Sequence, residues 1–195
     1  PVLEQIRGAG VAVEMFSAQP DLASLEATLM HLGRLLGDEA QAAQLFADYQ
    51  QQLQAHQQQV KRAQTNQKAP GVLLLLGHAG GKPMIAGKDT AADWLLTQAG
   101  GQNLATHSGY KPFSVEALVG LNPEVLVFAD RALTGEPARK ALMKENPILA
   151  SIKAAKDGRI YELDPTLLVG GLGPRLPASL KQLTAEFYPK APANP

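Results

Sequence analysis

The sequence predicts an α/β protein: a mostly parallel sheet with helices on both faces, preceded by one long helix. Three observations carry this expectation. Val72–Leu76 is a continuous apolar run, the signature of a strand buried on both faces. Beyond it, short apolar runs alternate with amphipathic helical stretches as far as Phe187. Ahead of it, residues 38–66 contain neither Gly nor Pro and are rich in Gln, as a long solvated helix would be.

The elements follow in chain order. Val2–Gly8 reads as a short helix with Val2, Leu3 and Ile6 on one face and Gly8 and Gly10 as its stop. Val11–Phe16 reads as a strand. A lone strand cannot satisfy its own backbone groups, so its partners are expected before Pro1. Asp21 opens a helix in which Leu22, Leu25, Leu29, Leu32 and Leu36 recur at spacings of three and four, predicting a buried stripe ended by Gly37. Asp38 and Gln41 fit a capping box for the long helix. That helix carries Ala42, Leu45, Phe46, Tyr49, Leu53 and Val60 on one side and spans roughly 40 Å.

Lys68-Ala69-Pro70-Gly71 breaks it. After the Val72–Leu76 strand come a Gly-rich loop over Gly77–Lys88, a helix over Thr90–Ala99 and a short strand near Asn103–Thr106. An exposed loop at Tyr110–Phe113 leads to a helix over Ser114–Leu121 and a strand over Val125–Phe128. Helices over Glu136–Glu145 and within Asn146–Ala155, a strand at Arg159–Leu163 and a closing helix over Leu176–Phe187 complete the chain. Ligands of such sheets sit beyond the carboxyl ends of the strands, which singles out the loops after Leu76, Phe128 and Leu163.

Composition narrows the function. The 195 residues carry 18 Lys+Arg and 18 Asp+Glu, so no basic field exists to hold nucleic acid or anionic lipid. The longest apolar run is too short to span a bilayer, and Pro1-Val2-Leu3-Glu4 is not a signal peptide. With no cysteine there is no thiolate metal site, thiol catalysis or disulfide. His31, His56, His78 and His107 lack metal-ligand spacing. Gly81-Lys82-Pro83 and Gly87-Lys88-Asp89 both fail the phosphate-loop pattern, and no G-x-S-x-G elbow occurs, so a doubly wound enzyme has no motif behind it.

Four residues near the predicted strand ends have two readings each. His78 is a cleft residue or a polar loop residue. Tyr110 lines a flat apolar ligand or staples its loop to its own domain. Arg131 pairs a carboxylate or is a solvated surface residue. Glu116 has a purpose beyond its helix or simply favours the helix dipole.

Three segments together resemble a known family: His78-Ala79-Gly80-Gly81 continuing to Ala86-Gly87-Lys88-Asp89-Thr90-Ala91-Ala92-Asp93; Gly109-Tyr110-Lys111-Pro112-Phe113-Ser114-Val115-Glu116-Ala117-Leu118; and Asp164–Arg175, with Leu172-Gly173-Pro174-Arg175 at its end. They resemble the periplasmic haem-binding proteins of bacterial ABC haem importers. The wider superfamily, of two α/β lobes joined by one helix, also takes cobalamin and iron–siderophores. The resemblance implies that residues 1–36 are a remnant of an N-terminal lobe, 37–67 the linking helix and 68–195 the C-terminal lobe.

It further implies a carrier and not an enzyme, a periplasmic location, haem as the transported ligand, and an inner-membrane ABC permease as partner. A tyrosine ligand to ferric haem is expected from the lobe before Pro1, so Tyr49, Tyr110, Tyr161 and Tyr188 do not inherit that role. By the same resemblance the haem-cleft candidates are His78, Met84, Tyr110, Arg131 and Leu168, with His78 the only match for an additional iron ligand. Glu116 matches the acidic permease-docking residue of the second lobe. For a chain lacking most of one lobe, haem binding is expected to be weak or absent, and the Val11–Phe16 strand is expected either to find an intermolecular partner, as in self-association, or to leave a loosely held front end.

Overall fold

The computed structural model describes residues 2–77, 83–112, 114–130 and 132–189. Eight α-helices are described: α1 (Val2–Gly8), α2 (Leu22–Leu36), α3 (Glu39–Asn66), α4 (Ala91–Gln98), α5 (Val115–Leu121), α6 (Gly135–Glu145), α7 (Lys153–Lys156) and α8 (Leu176–Phe187). The described strands are β1 (Gly71–Leu76), β2 (Met84–Ala86), β3 (Gln102–Asn103), β4 (Tyr110–Pro112), β5 (Val125–Ala129) and β6 (Ile160–Glu162). Short 3₁₀ turns cover Pro147–Ser151 and Pro165–Leu168.

The sheet runs β4-β2-β1-β5-β6, with β3 also paired to β1. The β1–β3, β1–β5 and β5–β6 pairs are parallel. The β1–β2 and β2–β4 pairs are antiparallel, so one flank of the parallel sheet is a meander. Alternation along the central strands builds two cores. Val72, Leu74 and Leu76 of β1, with Val125, Val127 and Ala129 of β5, face α4, α8 and the inner side of α3. Leu73, Leu75, Leu126 and Phe128 face the opposite layer, where Leu118, Ala138, Leu149 and Ile152 cover them. Both faces are thus buried, as the unbroken apolar run in β1 requires.

The long helix forms where the sequence places it. Asp38 caps it by accepting from the Gln41 amide at 3.0 Å. Ala42, Phe46, Tyr49, Leu53, His56, Val60 and Ala63 are its buried side, and the Gln-rich remainder is solvated. Leu45, expected on the buried side, is 49% exposed. At 3.6 residues per turn it trails Tyr49 and Phe46 around the cylinder and clears the contact.

Several expectations fail in instructive ways. Val11–Phe16 has no regular secondary structure: among the described residues no strand pairs with it, and without ladder bonds the segment is held by side chains instead. The Glu14 carboxylate meets His31 Nε2 at 2.9 Å, and the Phe16 ring sits edge-on to the His31 ring, 5.6 Å between centroids. The Leu stripe of α2 is only half buried, because α2 is covered along one side by α3 and little else: Gly33 is its one buried residue, and Leu36 is 80% exposed. Part of the expected Gly77–Lys88 loop is strand β2, whose Met84 pairs with Leu76 to close a hairpin. Tyr110–Pro112, expected as a loop, is the edge strand β4, where Pro112 and Lys111 discourage further pairing.

Candidate functional site

The carboxyl ends of β1, β5 and β6 converge on one end of the sheet, and three short networks fix the chain there. Gly77, leaving β1, donates its amide to the Ala129 carbonyl at 2.8 Å. A Cβ on Gly77 would overlap the Asp130 carboxylate, so a larger residue here would have to displace that side chain. Asp130, leaving β5, accepts from the Ala132 and Leu133 amides at 2.7 and 3.1 Å and turns the chain toward α6. The N-terminus of α6 has no cap from Thr134; Glu162 at the end of β6 supplies one, accepting from the Gly135 amide at 2.6 Å.

The third network shapes the loop after β6. Asp164 accepts from the Thr166 amide and hydroxyl at 2.9 and 2.6 Å, and Arg175 donates to Asp164 and to the Thr166 hydroxyl, both at 2.6 Å. The Thr166 hydroxyl and amide, with Arg175 beside them, hold the Asp164 carboxyl below the usual carboxylate range. So pinned, the 3₁₀ turn buries Leu167, half-buries Leu168 and leaves Val169 exposed, followed by Gly170 and Gly171. Gly171 reaches the front of the chain, where a Cβ would lie 3.0 Å from the Gln19 carbonyl oxygen.

A cavity of about 150 Å³ lies between β1, β5 and α6, lined by Leu75, Phe128, Leu133, Ala138 and Leu142 with Asp130. That is well below the roughly 300–1,000 Å³ of enclosed small-molecule pockets. Asp130, Glu145 and Asn146 make this recess partly polar. A larger groove of about 430 Å³ runs along α4 between Pro20 and Trp94, but none of its lining comes from the strand-end loops.

The site residues expected from sequence fall into three groups. His78 and Arg131 lie outside the described residues. Met84 is half buried at the start of β2, beside the end of β1, and Leu168 is half buried in the loop after β6. Tyr110 is half buried with its ring against the same core as Leu168. Burial pushes its phenol up, against smaller opposing interactions with the Ala92 backbone and Thr90 side chain at the start of α4. Burial also pushes the Tyr49 phenol up, to about 12. Among the described residues no three His, Cys, Asp or Glu side chains stand close enough to hold a metal ion. Glu116 is exposed in the first turn of α5, behind its Ser114 cap and away from these networks.

Asp130 and Glu162 were not singled out from sequence, and Arg175 was named only as the end of the Leu172-Gly173-Pro174-Arg175 segment, without its bracing role. Asp164-Pro165-Thr166 does carry a visible turn signal, whereas the reach of Arg175 across eleven residues has no local signature.

Comparison with known proteins places this arrangement. A profile of the periplasmic binding protein family matches residues 3–167. A periplasmic haem-binding protein from Pseudomonas aeruginosa superposes with a TM-score of 0.96 at 54% identity, over 100% of this chain and 70% of that one. The uncharacterised ABC transporter substrate-binding lipoprotein YvrC of Bacillus subtilis is 27% identical over 96% of this chain, and a cobalamin-binding protein of Halobacterium salinarum is 25% identical over 94%. The chain spans 57% and 49% of the lengths of these two curated relatives.

Proposed function

The chain belongs to the periplasmic binding protein family, and we propose that its ligand is haem, carried in the periplasm to an ABC permease of the inner membrane. A carrier of this kind binds and releases its cargo and performs no chemistry on it. One observation bears most of the weight: the likeness to the haem-binding protein of Pseudomonas aeruginosa extends along the whole chain. The strand-end face supports the reading. Met84 at the start of β2, and Leu168 and Val169 in the loop that the Asp164–Arg175 contact fixes, offer apolar side chains near the strand ends, so a flat macrocycle could lie across them. His78 and Arg131 are proposed to flank that face, with His78 the candidate for an additional iron contact, and Tyr110 to support it from beneath.

Residues 1–36 are proposed as part of a first lobe, 37–67 as the linking helix and 68–195 as the second lobe. Glu116 is proposed to meet the permease. Among the described residues no helix is long and apolar enough to cross a membrane.

Titration of ferric haem into the intact protein with both lobes present, followed in the Soret band, tests the ligand. A saturable spectral shift that excess cobalamin does not reverse is expected. Cobalamin is the second reading, favoured by the Halobacterium salinarum relative. An unchanged Soret band together with saturable cobalamin binding would replace haem by that reading.

A further inference from the structure

The C-terminal end of α4 is sewn to two other helices by side chains. The last carbonyls of a helix have no partner inside it and must find one elsewhere. Here the Gln98 carbonyl lies 3.2 Å from His56 Nε2 of α3. The Ala99 carbonyl accepts from the Thr184 hydroxyl of α8 at 3.1 Å. The Gly100 carbonyl accepts from Tyr188 at 2.5 Å and from Gln64 of α3 at 3.2 Å. His56 lies at the centre of this junction, 5% exposed, with the Thr184 hydroxyl 3.3 Å from the same Nε2.

Those partners assign the tautomer. Gln98 offers only an acceptor, so Nε2 carries the hydrogen and donates it, leaving Nδ1 as the bare nitrogen of a neutral ring. Nδ1 is buried and has no hydrogen-bond partner among the described residues. A second proton would have to go there, creating a buried cation whose new N–H meets no acceptor. Carbonyls at a helix C-terminus do favour a positive charge, but the ring already uses them through Nε2 while neutral.

We propose that His56 is a proton-sensitive clasp between the long helix and the α/β unit, closed while the ring is neutral and released when it takes a proton. Other ionisable groups do not substitute for it. The elements around the ring carry Asp48, Lys61 and Arg62 on the neighbouring turns of α3, Asp93 on α4, and Lys181 and Glu186 on α8. Among the described residues none of them is hydrogen-bonded to His56: Asp93 is engaged by Asn103, and Glu186 by Gln182 through one of its two oxygens. Burial holds the imidazole below its ordinary value, partly opposed by the Gln98 carbonyl.

The sign follows from that direction. Above the ordinary imidazole value, near 6.5, the ring is neutral folded or unfolded and the clasp contributes fully. Below it the unfolded chain takes up a proton that the folded chain resists, so stability falls with pH until the folded ring titrates as well. One such proton makes the unfolding constant rise by up to about tenfold per pH unit in that window. The device does not depend on which ligand the strand-end face binds.

The experiment compares urea unfolding of the protein with that of His56→Gln between pH 8 and 5. Glutamine can keep a donor for Gln98 without a titratable site. The wild type is expected to lose stability more steeply than the variant below pH 6.5, by up to that tenfold per unit; parallel profiles would overturn the proposal. Should His56→Gln fail to fold, ring nitrogen NMR of the wild type decides. A His56 ring that stays the neutral Nε2–H tautomer well below pH 6.5, with Gln98–Gly101 amide exchange accelerating as it titrates, is the expected result. Titration at or above 6.5 would sink the clasp.

Discussion

Gly100 is where single atoms matter most. Its φ is +88°, and a Cβ there would come within 2.7 Å of Val60 Cγ1 and 2.9 Å of the Tyr188 hydroxyl. Gly100→Ala therefore adds left-handed strain to overpacking of α3 and α8, and a loss on the order of 2–4 kcal/mol in urea unfolding is expected. A loss under about 0.5 kcal/mol would mean that Val60 and Tyr188 step aside freely. Glu116 is the opposite kind of residue, exposed and outside the bracing networks. Its charge reversal, Glu116→Arg, is expected to leave stability within about 0.5 kcal/mol and haem affinity unchanged while lowering uptake in cells carrying the permease. Undiminished uptake removes the docking role. Sequence offered a reason to look at Glu116 through its neighbours Tyr110–Leu118. It offered none for His56, whose importance arises from Gln98 and Thr184, remote along the chain.

Elements were legible in proportion to how locally their stability is decided. The β1 and β5 strands are apolar on both faces, and α3 carries its own cap, so both announce themselves. The strands β2 and β4 are three residues long and exist because Leu75, Ile85 and Lys111 meet across three strands of a meander, which no short window of sequence contains. Val11–Phe16 fails for the converse reason: its residues suit a strand, but a strand is made by its neighbours. Within α3 the periodic pattern grouped Leu45 with Leu53, and the structure separates them, Leu53 buried and Leu45 solvated. Leu53→Ala is expected to cost about 2–5 kcal/mol, whereas Leu45→Ala should stay within about 0.5 kcal/mol. Equal costs would show that the helix is rotated from the orientation described.

At the scale of the whole molecule, the two cores flank one sheet and the front 36 residues lie outside both, apart from Leu25 against the edge of one. Val2, Leu3, Val11, Met15, Phe16 and Leu36 are all exposed there. So much uncovered apolar side chain in one region favours association. Sedimentation velocity of the 195-residue chain is expected to show oligomers growing with concentration, and Met15→Ser with Leu36→Ser to reduce them. A single monomeric species at every concentration would contradict this.

The candidate site was readable only as a location, because strand-end loops follow from α/β topology. Its fastenings join Asp130, Glu162 and Arg175 to partners set by the folded path.

One last consequence belongs to α3. At about 1.5 Å per residue its 28 residues reach some 42 Å. His56 and Gln64, two turns apart, both grip the tail of α4. A shaft gripped twice near one end resists twisting there and behaves as a lever. A small tilt of its Asp38 end would first load Tyr49, whose hydroxyl donates to the Gly173 carbonyl at 3.3 Å, and only then the junction at Gly100.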